Sequence, residues 1–125
     1  MKMPPLSYVD DPKRKRMIYI FECGEFIKVG IATDIARRQE QIEMLNPYPV
    51  RLAFFRAVNF SLARAAEKAI HAELAPFRHR GEWFKMSARA AHGVLVKAWR
   101  EALKAERRMA TARKRWEREP GGNYA

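Results

Sequence analysis

Two short β-rich runs with only two residues between them place the strongest constraint on how this chain folds. Residues 17–23 and 26–32 are rich in Ile, Val, Phe and Tyr, and Gly24 and Glu25 lie between them. A two-residue connection with Gly in the first place is typical of a type II′ β-hairpin. The spacing predicts three cross-strand pairs on one side of the sheet: Cys23 with Phe26, Phe21 with Lys28, and Tyr19 with Gly30.

The two faces of this predicted hairpin differ in character. One face carries only aliphatic residues and is the natural core side: Ile18, Ile20, Ile27, Val29 and Ile31. The opposite face is less apolar, and Tyr19 and Lys28 are diagonal neighbours on it.

A helix is predicted after the hairpin. It begins at a Thr33 or Asp34 cap and runs to about Leu45. Its apolar stripe consists of Ile35, Ile42 and Leu45. Arg38 lies within this stripe, whereas Arg37 points elsewhere. An arginine on the inward side of a short helix needs a partner, so Arg38 is a candidate functional residue.

A third strand and a second helix follow. Residues 50–58 predict the strand, and Ser61 is the expected cap of a helix that continues to about Leu74. The buried stripe of this helix consists of Leu62, Ala66, Ala69 and Ile70. Glu67 and His71 lie four residues apart beside that stripe, so they are expected to project close together.

The C-terminal third predicts a closing strand and one long helix. Trp83 and Phe84 are expected to serve as core residues or as an aromatic platform. Ser87 is the expected cap of a last helix that reaches about Glu119. A helix of some 30 residues is about 45 Å long, which is more than a domain of this size can cover. Its far half is therefore expected to project, to pair with a second copy, or to fray.

Together these elements predict a small α/β (α+β) domain, with a three-stranded antiparallel sheet flanked by helices and a long basic C-terminal helix. A length of 125 residues leaves no room for a second domain of ordinary size. The expected divisions are a flexible basic leader over residues 1–16, the folded domain over 17–86, the long helix over 87–119 and a tail over 120–125.

Charge is unevenly distributed along the chain. The 25 basic and 14 acidic residues give a net charge of +11, which is typical of a protein that binds a polyanion. Residues 17–86 hold ten basic and eight acidic side chains, whereas residues 87–125 hold ten and four. The leader and the last helix are therefore expected to make sequence-independent phosphate contacts. The residues expected to bind nucleic acid are Lys13, Arg14, Lys15, Arg16, Arg37, Arg107, Arg108, Arg113, Lys114 and Arg115.

Cysteine and histidine content exclude several protein classes. Cys23 is the single cysteine, so there is no internal disulfide framework, and three histidines cannot complete a Cys/His zinc cluster. No run of 18 apolar residues exists to span a bilayer, and the N-terminus lacks the apolar stretch of a signal peptide. The expected location is the cytoplasm, without a membrane partner, and the host cytoplasm if the protein is encoded by a phage.

Motif residues fall in a fixed order on the predicted elements: Met17-Ile18-Tyr19, Lys28-Val29-Gly30, Arg38, Glu67 and Glu82-Trp83-Phe84. In this order residues 17–86 resemble the GIY-YIG nuclease superfamily, and above all its phage-associated branch, in which the second element reads Lys-Ile-Gly. Two positions depart from the superfamily pattern. Met17 stands where the first element has Gly, and Lys28 stands where the second has Tyr.

This resemblance implies a metal-dependent DNA endonuclease that uses one divalent ion, Mg²⁺ or Mn²⁺. Tyr19 would help to remove the proton from the attacking water, Arg38 would hold the scissile phosphate, and Glu67 would bind the ion. Lys28 and His71 complete the expected catalytic set. The residue types suit this chemistry, because an arginine can bind two phosphate oxygens and Mg²⁺ is often held by one or two carboxylates. A neighbouring Lys28 ammonium would favour the Tyr19 phenolate.

Other function classes stay open. The chain could be a nucleic-acid-binding protein that has the same scaffold without turnover, or a phage-type factor that docks on an acidic host protein through its last helix. Double-stranded DNA is the expected partner, and a homodimer through the last helix is a further expectation. Structural roles also fit the single residues: Tyr19 as a strand aromatic, Lys28 as an edge charge, Arg38 in a salt bridge, and Glu67 with His71 as a surface pair.

Overall fold

The computed structural model describes residues 15–118. The expected nucleic-acid contacts at Lys13 and Arg14, most of the leader, and the tail lie outside the described residues. Within them, five strands and three α-helices form an α+β fold. In chain order the elements are β1 (Lys15–Cys23), β2 (Phe26–Ala32), α1 (Ile35–Met44), β3 (Arg51–Asn59), α2 (Phe60–Leu74), a 3₁₀ turn (Ala75–Phe77), β4 (Arg78–Arg80), β5 (Trp83–Lys85) and α3 (Ala88–Arg118).

The strands form one antiparallel sheet in the order β3-β1-β2-β5-β4. The prediction of a three-stranded sheet is therefore wrong, because β5 pairs with β2 and β4 extends the sheet beyond β5. Each of these two strands has only three residues. The predicted closing strand at Trp83 and Phe84 is β5, but its pairing with β2 was not predicted. Strand β4 was not predicted, because three residues show too little alternation to be distinguished from a turn by sequence pattern.

The β1–β2 hairpin has the predicted register. Tyr19 pairs with Gly30, Phe21 with Lys28 and Cys23 with Phe26. Gly24 has a φ of +59°, and within the described chain no residue other than glycine has a positive φ. A positive φ at the first turn residue alone is what a type II′ turn requires.

Helices α2 and α3 cover the face of the sheet that was predicted to be the core side. The largest cluster of buried side chains includes Ile18, Ile20, Ile27, Val29, Leu62, Ala66, Ile70, Phe84, Ala91 and Leu95. Both strands of the hairpin and both helices contribute to it. The predicted aliphatic face is thus confirmed.

The opposite face is also covered, which the sequence did not predict. Tyr19 is 1% exposed and Phe21 is fully buried. They pack with Ala32, Ile42 and Val50 in a second cluster beneath α1. The sheet therefore has helices on both faces, and Tyr19 is not on a solvated surface.

Capping residues fix where the helices begin. The side chains of Asp34 and Ser87 cap α1 and α3 as predicted. The predicted Ser61 cap of α2 is wrong, because the Asn59 side chain accepts the cap hydrogen bond at 2.8 Å and the helix begins two residues earlier. Leu45 is exposed instead of joining the α1 stripe, since the helix ends at the preceding residue.

Helix α3 has 31 residues and is about 46 Å long. Ala91, Leu95 and Ala98 on its first half are buried, whereas every residue from Glu106 to Arg118 is exposed. The far half therefore extends past the core of the described chain. None of the helices within residues 15–118 combines the length and apolar character that a membrane crossing needs.

Candidate active site

The predicted site residues meet along an open edge of β2. Within the described chain, β5 pairs only with Phe26–Lys28 of β2, so β2 has no partner strand on that side from Val29 onward. Val29 and Ile31 direct their backbone groups to this same edge, because alternate residues of a strand point the same way. We call this edge and the side chains around it the β2 notch: Tyr19, Lys28, Arg38, Glu67, His71 and Glu82.

Helix α2 places two side chains against the open backbone of β2. His71 Nε2 lies 2.8 Å from the Val29 carbonyl oxygen, and Nε2 carries the hydrogen because a carbonyl can only accept. The His71 ring also packs edge-on against Phe84, with 5.5 Å between ring centroids. The backbone N–H of Ile31 donates to the Glu67 carboxylate. Glu67 and His71 lie four residues apart on α2, and this spacing brings them to two backbone groups on the open edge of β2: the N–H of Ile31 and the carbonyl of Val29.

The ring of Tyr19 lies directly over Gly30. A Cβ atom at position 30 would be 2.6 Å from Tyr19 Cζ and closer still to the hydroxyl oxygen. Only glycine fits beneath the ring, which explains a glycine inside a strand. Arg38 reaches the same place from α1 and donates a hydrogen bond to the Tyr19 hydroxyl. Arg38 is half-buried and Arg37 is exposed, so the predicted orientations of both are confirmed.

Tyr19 is a neutral phenol in this site. Burial is the largest influence on the pKa of Tyr19 and raises it above the ordinary value near 10, while the positive charge of Arg38 lowers it. The charges of Glu82 and Glu67 raise the pKa of Tyr19 further. The expected effect of Lys28 on Tyr19 is wrong, because Lys28 Nζ instead forms an ion pair with Glu82 at 3.1 Å. At neutral pH the Tyr19 hydroxyl therefore acts as a hydrogen-bonding group.

Glu82 belongs to the notch, although the sequence reasoning did not select it. The hydrogen bond from Lys28 is the largest cause that lowers the pKa of Glu82, and the charges of His71 and Arg38 also lower it. One signal could have identified this residue. The signal is the position of Glu82 directly before Trp83, because Trp83 pairs with Lys28 across the sheet. The sequence alone does not show that β5 pairs with β2, so the signal could not be used without the structure.

Glu67 is the candidate metal ligand. Burial is the largest influence on the pKa of Glu67 and raises it from the usual 4.5, and the charge of Glu82 raises it further. The charges of His71 and Arg64 act in the opposite direction. Burial and the negative charge of a second carboxylate both disfavour the ionised form of Glu67, so a bound cation would stabilise that form. Carboxylate oxygens are the ligands that Mg²⁺ prefers.

The donor set suits some metals better than others. Between residues 15 and 118 no group of three or more His, Cys, Asp or Glu side chains is arranged to hold a metal ion. A closed zinc site needs about four such ligands, whereas Mg²⁺ keeps several water ligands and uses one or two carboxylates. The residues present therefore fit a hydrated divalent ion at Glu67.

The basic residues expected to bind nucleic acid differ in accessibility. Lys15 and Arg37 are exposed. Arg16 is part of β1 and is buried, with its guanidinium carbon 4.7 Å from the centroid of the Phe60 ring, which leaves it little surface for a phosphate. On α3 all five expected residues are exposed: Arg107, Arg108, Arg113, Lys114 and Arg115. Three of these arginines line one shallow groove on the helix.

The chain matches the family model of the T5orf172 domain over residues 16–114. The protein belongs to the T5orf172 domain family. This family is phage-associated and nuclease-like. The region matched to the T5orf172 domain includes every element of the β2 notch and most of α3. Neither the curated proteins nor the solved structures compared with the chain include a match.

Proposed function

We propose that this T5orf172 domain is a metal-dependent endonuclease that hydrolyses DNA phosphodiester bonds, with one divalent ion and a GIY-YIG type of site. The observation that carries the proposal is the convergence of four side chains at the β2 notch. Tyr19 comes from β1, Arg38 from α1 and Glu67 from α2, and Glu82 directly precedes β5. Shifted pKa values clustered at one open edge are typical of functional sites and are not required by core packing.

Arg38 binds the scissile phosphate in the proposed reaction. Its planar guanidinium can donate to two phosphate oxygens at once. Because Arg38 is half-buried, its charge is less screened by water than that of an exposed arginine. It would stabilise the negative charge that accumulates on the phosphate in the transition state.

Tyr19 orients the attacking water. Its neutral hydroxyl can accept a hydrogen bond from that water, and Arg38 favours the phenolate form as a proton is transferred. Lys28 adds a second positive charge at the notch, and Glu82 fixes its position through the 3.1 Å ion pair. These residues position the reacting groups, which is the main demand of phosphodiester hydrolysis.

Glu67 would hold Mg²⁺ or Mn²⁺. A divalent ion supplies positive charge beside the phosphate when it is bound. Glu82 influences Glu67 electrostatically, so it would strengthen the attraction for a cation. His71 donates to the Val29 carbonyl and keeps α2 in register with β2, which positions Glu67.

A nuclease assay tests the proposal directly. Purified protein is incubated with plasmid DNA and Mg²⁺ or Mn²⁺, with and without a chelator. Arg38→Ala and Glu67→Ala are each expected to slow cleavage by about 100-fold or more. Arg51→Ala on the opposite edge strand and Glu73→Ala on α2 change exposed residues of the same charge and are expected to cleave normally. Unchanged cleavage by both site variants would contradict the assignment.

A second candidate function is nucleic-acid binding without turnover. It is favoured by the Lys28–Glu82 ion pair, which stands where the superfamily has a second tyrosine, and by the burial that raises the pKa of Tyr19. Salt-sensitive DNA binding without metal-dependent cleavage, and with no effect of Glu67→Ala on affinity, would select this alternative.

The far half of α3 is the proposed nucleic-acid arm. Truncation after Ala105 removes its exposed arginines and is expected to weaken DNA binding and reduce its salt dependence. Unaltered DNA affinity together with a smaller oligomer mass would instead indicate that the helix joins two copies. Unaltered affinity and mass would favour a protein partner with an acidic surface.

A further inference from the structure

A second concave surface lies beside the β2 notch, toward the β1–β2 hairpin. It is a cavity of about 480 Å³, and we call it the aromatic pocket after four of the residues that line it: Phe26, Tyr48, His79 and Trp83. Arg80 also lines it. Among the described residues, no Val, Leu, Ile or Met lines it. The lining differs in this respect from the aliphatic grooves that typically receive amphipathic helices.

Ring faces dominate the pocket. The rings of Phe26 and His79 stack with 4.4 Å between centroids and 28° between planes. Tyr48 lies in the loop after α1 and is 69% exposed. Arg80 contributes a positive charge and Glu25 a hydrogen-bond acceptor. Stacking faces with a cation and an acceptor match the chemistry of a nucleobase and its phosphate.

The loop holds Tyr48 in a defined position. Pro47 and Pro49 flank Tyr48, so φ is fixed on both sides of it and its own backbone is restricted to extended conformations. The Asn46 side chain donates to the Ile42 carbonyl oxygen at 2.7 Å, which ties the loop to the end of α1. An exposed ring on a stiff loop loses little conformational entropy when it binds a ligand.

Trp83 connects the pocket to the notch. It lines the pocket, and Lys28 Nζ lies 5.7 Å from the centroid of its ring. Lys28 is paired in turn with Glu82. Successive nucleotides of a strand are separated by only about 3.4 Å along a duplex axis. A base next to a phosphate in the notch would therefore be within reach of Trp83.

We propose that the aromatic pocket binds an unpaired nucleobase adjacent to the phosphate held at the β2 notch, so that the protein prefers nucleic acid with an extrahelical or single-stranded nucleotide. This inference rests on the proposed function for the identity of the polymer. Stacking on aromatic side chains accepts every base, so the preference is for structure and not for sequence. A paired base cannot enter, because both of its faces are already stacked in the duplex.

The test compares three labelled duplexes of one sequence by fluorescence anisotropy, in chelator so that no cleavage occurs. One duplex carries a single bulged nucleotide, the second carries the same bulge without its base, and the third is fully paired. The two bulges share the same backbone break and differ only in the base. The unmodified 125-residue chain is expected to bind the base-containing bulge about 10-fold or more tightly than the abasic bulge.

Variants of one ring test the mechanism. Tyr48→Ala and Tyr48→Leu are expected to bring the ratio of the two bulge affinities close to one without changing the affinity for paired duplex. Tyr48→Phe keeps the ring face and is expected to keep the ratio. Phe55→Ala is the matched control, since Phe55 is 54% exposed and lies on the opposite edge strand. Circular dichroism checks that each variant folds.

The outcomes separate this inference from the proposed function. Equal binding of the two bulges by the unmodified protein, or an unchanged ratio in Tyr48→Ala, overturns the pocket even when Arg38→Ala abolishes cleavage. A base preference that depends on Tyr48 supports the pocket even when no cleavage is found. Failure to bind any of the three duplexes overturns the pocket, and the nuclease assay with Mg²⁺ then decides the proposed function separately.

Discussion

The two faces of the sheet differ in the side chains that they bury and in the charged groups beside them. The face under α2 and α3 is packed mainly with aliphatic side chains, together with the ring of Phe84. The face under α1 buries Tyr19 and Phe21 but places the charged groups of Lys28 and Arg38 at its margin. Burial of charged groups costs free energy unless each finds a partner. The contrast indicates that stability rests mainly on the first face, whereas the charged groups of the site lie at the margins of the sheet. Lys28 and Arg38 lie beside the second face, and Glu67 and His71 reach the open edge of β2 from α2.

The largest expected effect is a loss of stability on the aliphatic face. Ile27 is fully buried there, so Ile27→Ala leaves a cavity and is expected to lower the free energy of unfolding by about 2–5 kcal/mol. Lys28→Met, at the next residue on the other face, keeps the side-chain stem and is expected to cost less than about 1 kcal/mol. Urea unfolding followed by circular dichroism measures both. Similar losses would remove the distinction between the faces.

A smaller effect is expected where Tyr19 crosses Gly30. Gly30→Ala inserts a Cβ atom 2.6 Å from the Tyr19 ring, and overpacking of this kind costs about 1–3 kcal/mol. In Tyr19→Ala the ring is gone, so Gly30→Ala should then cost much less. A double-mutant cycle in urea measures the coupling. Additive effects would show that the ring does not determine the need for glycine at position 30.

The features that the sequence could predict are those that depend on residues close together in the chain. The hairpin register depends on a two-residue turn and on alternation within two neighbouring runs, and it is confirmed at Tyr19 and Gly30. The inward orientation of Arg38 depends on helical spacing alone and is also confirmed. Strand β4 was missed, because a three-residue strand is stabilised by pairing with a distant part of the chain.

The same distinction between near and distant parts of the chain applies to the candidate site. The order of Tyr19, Arg38 and Glu67 was visible in the sequence. Contacts that need the tertiary fold were not visible: the Lys28–Glu82 ion pair joins residues 54 positions apart, and α1 buries Tyr19 enough to raise its pKa. Both change the chemistry expected of the same residues, so the electrostatic state of the site was the least predictable part.

Glu67 gives a prediction with a defined dependence on pH. Because its folded pKa is raised above 4.5, ionised Glu67 destabilises the fold at neutral pH, and this cost disappears as pH falls below about 4.5. Glu67→Gln is therefore expected to raise Tm at pH 7 but not at pH 4. Glu73→Gln on the same helix is expected to show no such difference. An equal Tm change at both pH values would contradict the burial of an ionised Glu67.

Metal addition sharpens the same comparison. A cation at Glu67 relieves the cost of its buried charge and stabilises the folded state by mass action. Mg²⁺ at pH 7 is therefore expected to raise the Tm of the unmodified protein and to leave that of Glu67→Gln unchanged. An equal rise in both proteins would locate the ion away from Glu67.

Glu82 is expected to show the smallest effect on stability and the opposite sign. Its pKa is lowered, mainly by the hydrogen bond from Lys28, so its stabilising contribution is present above about pH 4.5 and is lost as pH falls through the folded pKa. The Glu82 side chain is 56% exposed, and such a pair contributes at most about 1 kcal/mol. Glu82→Gln should lower Tm slightly at pH 7 and match the unmodified protein at low pH. A rise of Tm in Glu82→Gln at pH 7 would contradict a stabilising Lys28–Glu82 pair, and a fall of Tm in Glu67→Gln would remove the basis for Glu67 as the residue that needs a cation.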